Sequence, residues 1–396
     1  MMKTFSARTV AALVCVGGVL GKQAPAQPAF QAPVRCGTEA RPSDIVAGDF
    51  DGDGWTDVTL CHLATSGTGT AVTFFGQADG TFGEVAYSNI GTWSRGLAAG
   101  DLNGDGLLDW ATTCDGRTYL GYNLGARTFQ SSSWISGGNQ HGIVIADVNG
   151  DARQDVAGTY IDTCTGKHQA LVNYGLPGGG FASPSAYTVA VCPDGIVAAD
   201  LNGDGRPDLA TANQTTVSVL RAGAGGGFYS HADYAKGRSG WGSSLVAADF
   251  DRDGQTDLAA VNSDDASLSV LHGRADGTLT AAVVYPTSAD PREIACADFD
   301  DDGWVDIAVT AFIGGQIDLY SGGPDGFVQQ AGIPLNAPMG LAAADFNGDG
   351  WIDLAATEYA DARFAVLFNS LPEPGALAML AVGAMALLRR RRRTAP

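Results

Sequence analysis

One nine-residue motif recurs through the chain and constrains its fold more than any other feature. The pattern Asp-x-(Asp/Asn)-x-Asp-x-x-x-Asp begins at Asp49, Asp101, Asp147, Asp200, Asp249, Asp298 and Asp345. Position six is Gly in every copy but the third, which has Ala152. The spacings of 52, 46, 53, 49, 49 and 47 residues set a period that points to a propeller or a helical array. The flanks decide between these. A short apolar run precedes each loop, such as Leu245-Val246-Ala247-Ala248. A second follows it (Asp257 to Val261), then a third (Ser267 to Leu271), and a fourth starts near an aromatic, as at Phe228. Four short strands separated by Gly/Asp/Asn turns make one blade of antiparallel sheet. The expected fold is therefore all-β, a seven-bladed propeller of four-stranded antiparallel blades over residues 27–370.

The two ends of the repeat imply how the ring closes. The fourth-strand aromatic precedes the next loop by a nearly constant interval: Phe82 to Asp101, Phe181 to Asp200 and Phe327 to Asp345. Phe30 stands in the same relation to Asp49, while only two strands follow the last loop. Residues near Phe30 should supply the outer strand of the last blade, which leaves fewer unpaired edges.

Carboxylates at alternate positions of a tight loop suit Ca²⁺, which takes six to eight oxygens at about 2.3–2.6 Å. In the first loop Asp49, Asp51, Asp53 and Asp57 offer side chains and Trp55 a backbone carbonyl. The corresponding sets are Asp101, Asn103, Asp105, Asp109; then Asp147, Asn149, Asp151, Asp155; then Asp200, Asn202, Asp204, Asp208. The last three are Asp249, Asp251, Asp253, Asp257; then Asp298, Asp300, Asp302, Asp306; then Asp345, Asn347, Asp349, Asp353. Up to seven Ca²⁺ are expected, one per blade. Mg²⁺ suits such loops less well, because it holds its waters and demands a rigid octahedron. An EF-hand needs Glu at position twelve, but here that position reads Leu60, Thr112, Gly158, Thr211, Ala260, Val309 and Ala356. These sets hold over half of the 43 acidic residues, and like charge so clustered opposes folding unless cations offset it. The third loop, with Ala152 and three carboxylates, should bind most weakly.

The loops, their strand flanks and the period resemble the FG-GAP/VCBS repeats of bacterial surface proteins and the propeller of integrin α-subunits. The resemblance implies calcium at the residues named above, on hairpins between the first two strands of each blade. Integrins carry the loop in only some blades, so their mode of partner binding does not transfer.

The formal net charge is −20, and the body is more acidic still, because eight of the 23 basic residues lie in the terminal segments. Such a surface repels phosphate backbones and argues against nucleic-acid partners. At the start, a basic region through Arg8, an apolar run over 9–20 and Ala24-Pro25-Ala26 describe a secretory signal peptide over 1–26. At the end, Pro372-Glu373-Pro374, the apolar run Gly375 to Leu388 and the block Arg389 to Arg393 occupy 371–396. This segment resembles the bacterial PEP-CTERM sorting signal. It implies transient membrane insertion, handling by an exosortase-type processing enzyme and association with extracellular polysaccharide. A plain tail anchor is the alternative.

Six cysteines remain after the leader, an even number that suggests disulfides in an exported protein. Cys61, Cys114 and Cys164 fall at or just beyond second strands, and Cys36, Cys192 and Cys296 near entries to first strands. All are expected toward the face opposite the aspartate loops, with Cys164–Cys192 the best pair.

No nucleophile elbow, zinc-protease motif or phosphate loop occurs, and the five histidines (His62, His141, His168, His231, His272) form no pattern. His62 and His141, near strand ends, are expected to be lone exposed imidazoles. Position seven of the loop is Trp in three copies, Trp55, Trp304 and Trp351. Blades one, six and seven are consecutive in a closed ring, so these indoles should share the loop face as a sugar-stacking platform, unless each merely packs over its own loop. The reading that emerges is an exported calcium-binding module for polysaccharide or a surface protein, without catalytic residues. A polysaccharide lyase or hydrolase, or a purely structural surface protein, are the alternatives.

Overall fold

Seven antiparallel sheets follow one another along the chain and close into a ring. In this computed structural model the described residues are 28–370, apart from 65–66, 115, 135–138, 163–164 and 241–242. The segments expected to be a leader and a sorting signal, and Cys164, lie outside them. The first blade shows the plan: Pro42–Gly48, Asp57–His62, Gly69–Gly76 and Phe82–Ile90, each hydrogen-bonded to the next. In blade six the outer edge is split into Val328–Gln329 and Ile333–Pro334, both paired with Gln316–Ser321. The expected all-β seven-bladed propeller is the observed fold. Among the described residues the one helical element is a 3₁₀ turn at Tyr359–Asp361.

The core is divided among the blade interfaces. Seven apolar clusters each draw on two adjacent blades; one joins Ile45, Val58 and Val72 of the first blade to Phe346, Ala355 and Phe364 of the seventh. Blades pack face to face, so second strands such as Asp57–His62 and Asp257–Asn262 are buried along their whole length. That double burial is why these strands read as continuous small-apolar runs rather than as a strict alternation.

A repeated aromatic contact explains the constant spacing seen in the sequence. The residue after each first loop aspartate is apolar and buried, as in Phe50, Phe250, Phe299 and Phe346. The fourth-strand aromatic of the next blade meets it edge-on: Phe129 against Phe50, Phe327 against Phe250 and Phe82 against Phe346, at centroid separations of 6.1, 5.5 and 6.3 Å. Phe30 meets Phe299 in the same way at 5.9 Å. The N-terminal strand thus fills the outer place of the last blade. Val34–Gly37 pairs antiparallel with Arg363–Leu367, Phe30 bridges Asn369, and the Arg35 guanidinium bonds the buried Glu358 carboxylate at 2.8 Å. The closure inferred from the spacing is present.

Cysteine placement departs from expectation. The five described cysteines are free thiols, and Cys61, Cys114 and Cys296 are buried. Cys36 is no first-strand entry; it sits in the closing strand opposite Phe364. Cys296 pairs with Ile307 beside the sixth loop, so it lies toward the aspartate-loop face and not away from it. The error has a simple cause: first strands run toward the loops, and Cys296 is at the far end of its strand.

Candidate metal centre

Each aspartate loop is a hairpin between the first and second strands of its blade, held by its own backbone. In the first loop the Asp49 carboxylate accepts the N–H groups of Gly52 (2.7 Å), Asp53 (3.1 Å) and Gly54 (3.0 Å). Asp51 accepts from Asp53 N–H and Asp53 from Trp55 N–H. The same bonds recur at Asp101, Asp147 and Asp200. Position six needs a left-handed backbone, with φ from 82° to 91° in the six glycines; Ala152 adopts 67° in the third loop. A side chain there carries a strain of about 1–2 kcal/mol that glycine avoids.

Carboxylate oxygens of Asp49, Asp51 and Asp53 lie within 4.8 Å of one another, as do those of Asp249, Asp251, Asp253 and of Asp298, Asp300, Asp302. Two oxygens on one Ca²⁺ stand no more than about 5 Å apart, so these sets fit that ion in both donor type and spacing. Four loops have Asn at position three. There Asn103 and Asn347 donate to Asp105 and Asp349 at 3.0 Å, which removes part of the repulsion internally.

Nearby cations distinguish the loops further. Arg127 from blade two reaches Asp51 (2.7 Å), Asp53 (3.5 Å) and Glu84 (3.1 Å). Arg153 closes on Asp151 within the third loop. His272 Nδ1 stands 3.3 Å from Asp251 and 3.2 Å from Asp257. In the sixth loop the charges acting most strongly on Asp298 and Asp300 are other aspartates. Burial and these neighbours raise both, Asp300 to about 6.

The last aspartate of each motif has a role that the sequence did not suggest. Asp57 is fully buried and braces two segments: Oδ2 accepts Phe50 N–H at 2.7 Å and Oδ1 accepts Gly76 N–H at 2.7 Å. Asp109, Asp155, Asp257, Asp306 and Asp353 make the equivalent pair of bonds. Burial pushes Asp57, Asp109, Asp306 and Asp353 up to about 7, against the lowering by two N–H bonds; the loop carboxylates add to the rise. Asp155 and Asp208 are raised to about 6 for the same reasons. A carboxylate oxygen accepts more than one bond, so the brace leaves lone pairs for an ion.

The position-seven indoles are half-buried, and two of them meet the neighbouring blade. Trp55 covers Gly348 of the seventh loop, and Arg252 of the fifth loop stacks on Trp304 at 4.2 Å. Thr56 Oγ1 also donates to the Asp345 carbonyl at 2.7 Å, so adjacent loops are tied together. At the other end of the blades the histidines correct an expectation: His62 and His141 are 1% and 5% exposed. Neighbouring blades cover these strand ends. His62 Nδ1 meets Thr70 Oγ1 at 2.7 Å, and burial lowers its pKa to about 4. His141 Nδ1 meets Asp194 Oδ1 at 3.0 Å. The sequence signal for that pairing was available, since each residue stands six places before its own loop.

The motif geometry matches a known repeat. The FG-GAP-like repeat family matches residues 49–112, 101–158, 200–260, 254–309 and 298–356, together more than half of the chain. The chain belongs to the FG-GAP-like repeat family. No curated protein sequence matches it. Among solved structures, a chain of the BBS1N complex with ARL6DN is similar over 87% of this chain and 98% of that chain, at 10% identity and TM-score 0.59. The periplasmic gluconolactonase PpgL of Pseudomonas aeruginosa is similar over 78% and 97%, at 14% identity and TM-score 0.54. Both likenesses are of fold. An Agrocybe aegerita lectin that recognises non-reducing terminal N-acetylglucosamine superposes more loosely, at TM-score 0.49 and 17% identity over 83% and 89%.

Proposed function

We propose that this FG-GAP-repeat propeller is an exported calcium-binding module that presents a rigid ring-shaped face to polysaccharide or protein at the cell surface or in the extracellular matrix. The observation that carries this reading is the set of preformed carboxylate clusters, spaced for Ca²⁺ and raised along one face of the ring. Positions one, three, five and nine of each loop would hold the ion, with the position-seven carbonyl completing the set. Bound Ca²⁺ supplies charge neutralisation, and the chain's own loops supply the orientation. The leader over 1–26 supports export. The segment over 371–396 supports transient membrane insertion and processing by an exosortase-type enzyme. Trp55, Trp304 and Trp351 remain the proposed contact residues of the loop face.

Metal analysis of purified protein, with melting measured in Ca²⁺ and in chelator, tests the calcium reading. Several bound Ca²⁺ and a large drop in Tm on chelation are expected; no metal and an unchanged Tm would overturn it. A glycan array separates a carbohydrate-binding role from a purely structural one. Release of reducing ends from a polysaccharide panel would instead favour a lyase or hydrolase.

A further inference from the structure

The position six residues before each loop has a regular place and irregular chemistry. It reads Ser43, Arg95, His141, Asp194, Ser243, Arg292 and Met339 in blades one to seven. All seven line a single cavity of about 170 Å³, to which every blade contributes. Six strand residues span about 20 Å, so this cavity opens on the face opposite the aspartate loops. The middle of each intervening strand is buried and apolar, such as Ile143, Val144 and Ile145. Packing therefore explains the middle of the strand, whereas the residues at its end converge on the axial cavity.

The side chains in this ring are held in place. Asp194 accepts from Ser243 N–H at 2.8 Å and meets His141 Nδ1 at 3.0 Å, which fixes the imidazole plane. Ser244 Oγ bonds Glu293 across the boundary between blades five and six. The Ser43 hydroxyl donates to the Ser94 carbonyl at 3.0 Å. At the rim stands Trp93, 40% exposed and with φ of 57°, a conformation a bulky residue rarely adopts.

We propose that this axial cavity is a binding site for a single neutral sugar ring, separate from the aspartate-loop face. Sugar hydroxyls both donate and accept. Both kinds of partner line the cavity, donors on Arg95 and Arg292 and acceptors on Asp194 and Glu293, and carboxylate oxygens that already accept one bond can accept another. Trp93 supplies an apolar face of the kind that sugar C–H groups stack on. The volume lies below the roughly 300 Å³ at which pockets for drug-sized ligands begin, so it takes one ring and not an oligosaccharide. This inference rests on the ring fold and not on calcium, so failure of the metal reading leaves it standing.

Saturation-transfer NMR and calorimetry on the calcium-equilibrated full chain test it, with methyl hexosides, methyl N-acetylhexosaminides and uronates as probes. At least one neutral glycoside should bind, and Trp93→Ala and Asp194→Asn should each weaken it about tenfold, the loss of about 1.4 kcal/mol. Arg95→Gln, a conservative change at the rim, guards against misfolding of the other two variants and should weaken the same sugar. Disaccharides that end in the preferred sugar distinguish a chain terminus from a free monosaccharide as the source. Binding of no neutral sugar, of uronates alone, or with unchanged affinity in all three variants would overturn the proposal.

Discussion

Replacing Phe30 with alanine tests how the ring closes. Phe30 is half-buried, packs with the cluster between blades six and seven, and meets Phe299 edge-on at 5.9 Å. A fully buried Phe→Ala change costs about 3–5 kcal/mol, so a half-buried ring should cost about 2–3 kcal/mol. Unfolding entropy near 2.1 cal/mol/K per residue over residues 28–370 makes each kcal/mol worth about 1.4 °C, so Tm should fall by about 3–4 °C. Scanning calorimetry in excess Ca²⁺ measures this. Phe82→Ala provides calibration, because Phe82 occupies the same place in blade one and contacts Phe346 and Phe364. A double-mutant cycle of Phe30→Ala with Phe299→Ala should return a coupling of about 0.5–1.5 kcal/mol. Removing residues 27–36 should lower Tm further, since the Arg35 bond to Glu358 and the strand pairing with Arg363–Leu367 go with it. A Phe30→Ala protein that melts with wild type, together with zero coupling, would refute the closure mechanism.

Four further outcomes are expected. Ala152→Gly should stabilise the apo protein by about 1 kcal/mol in urea unfolding, because it relieves the left-handed strain at φ 67°. Calcium titration with loop-specific Asp→Ala variants should find the sixth loop, where aspartates chiefly face aspartates, tighter than the third, where Arg153 already engages Asp151. In chelator, the bracing aspartates should make stability fall as pH rises. In Asp57, Asp109, Asp155, Asp208, Asp306 and Asp353 the folded pKa of about 6–7 exceeds the unfolded value near 4, so their contribution is full below about pH 4 and lost as pH passes 7. His62, lowered to about 4, acts in the opposite sense, losing its contribution as pH falls below about 6.5, but it is one group against six. Saturating Ca²⁺ should flatten the profile, and Arg127→Ala should tighten the first loop, because a competing cation leaves Asp51.

The sequence by itself determined the number of blades, the alternation of loop and strand, and the place of the N-terminal strand. All three follow from local periodicity, and the interval from Phe30 to Asp49 repeats the interval from Phe82 to Asp101. It also picked out the aspartate loops, because hairpin geometry is written within nine consecutive residues. Partners supplied by another blade were beyond its reach. The Trp55 contact with Gly348 and the Arg127 contact with Asp51 join residues whose separation along the chain carries no local signal. The bracing by Asp57 required knowing that Phe50 and Gly76 converge on it. Burial of His141 and its contact with Asp194, 53 residues away, likewise depend on how far each blade is rotated from the last. Local pattern sets each blade; only the closed ring decides which ends of the blades meet around the axis.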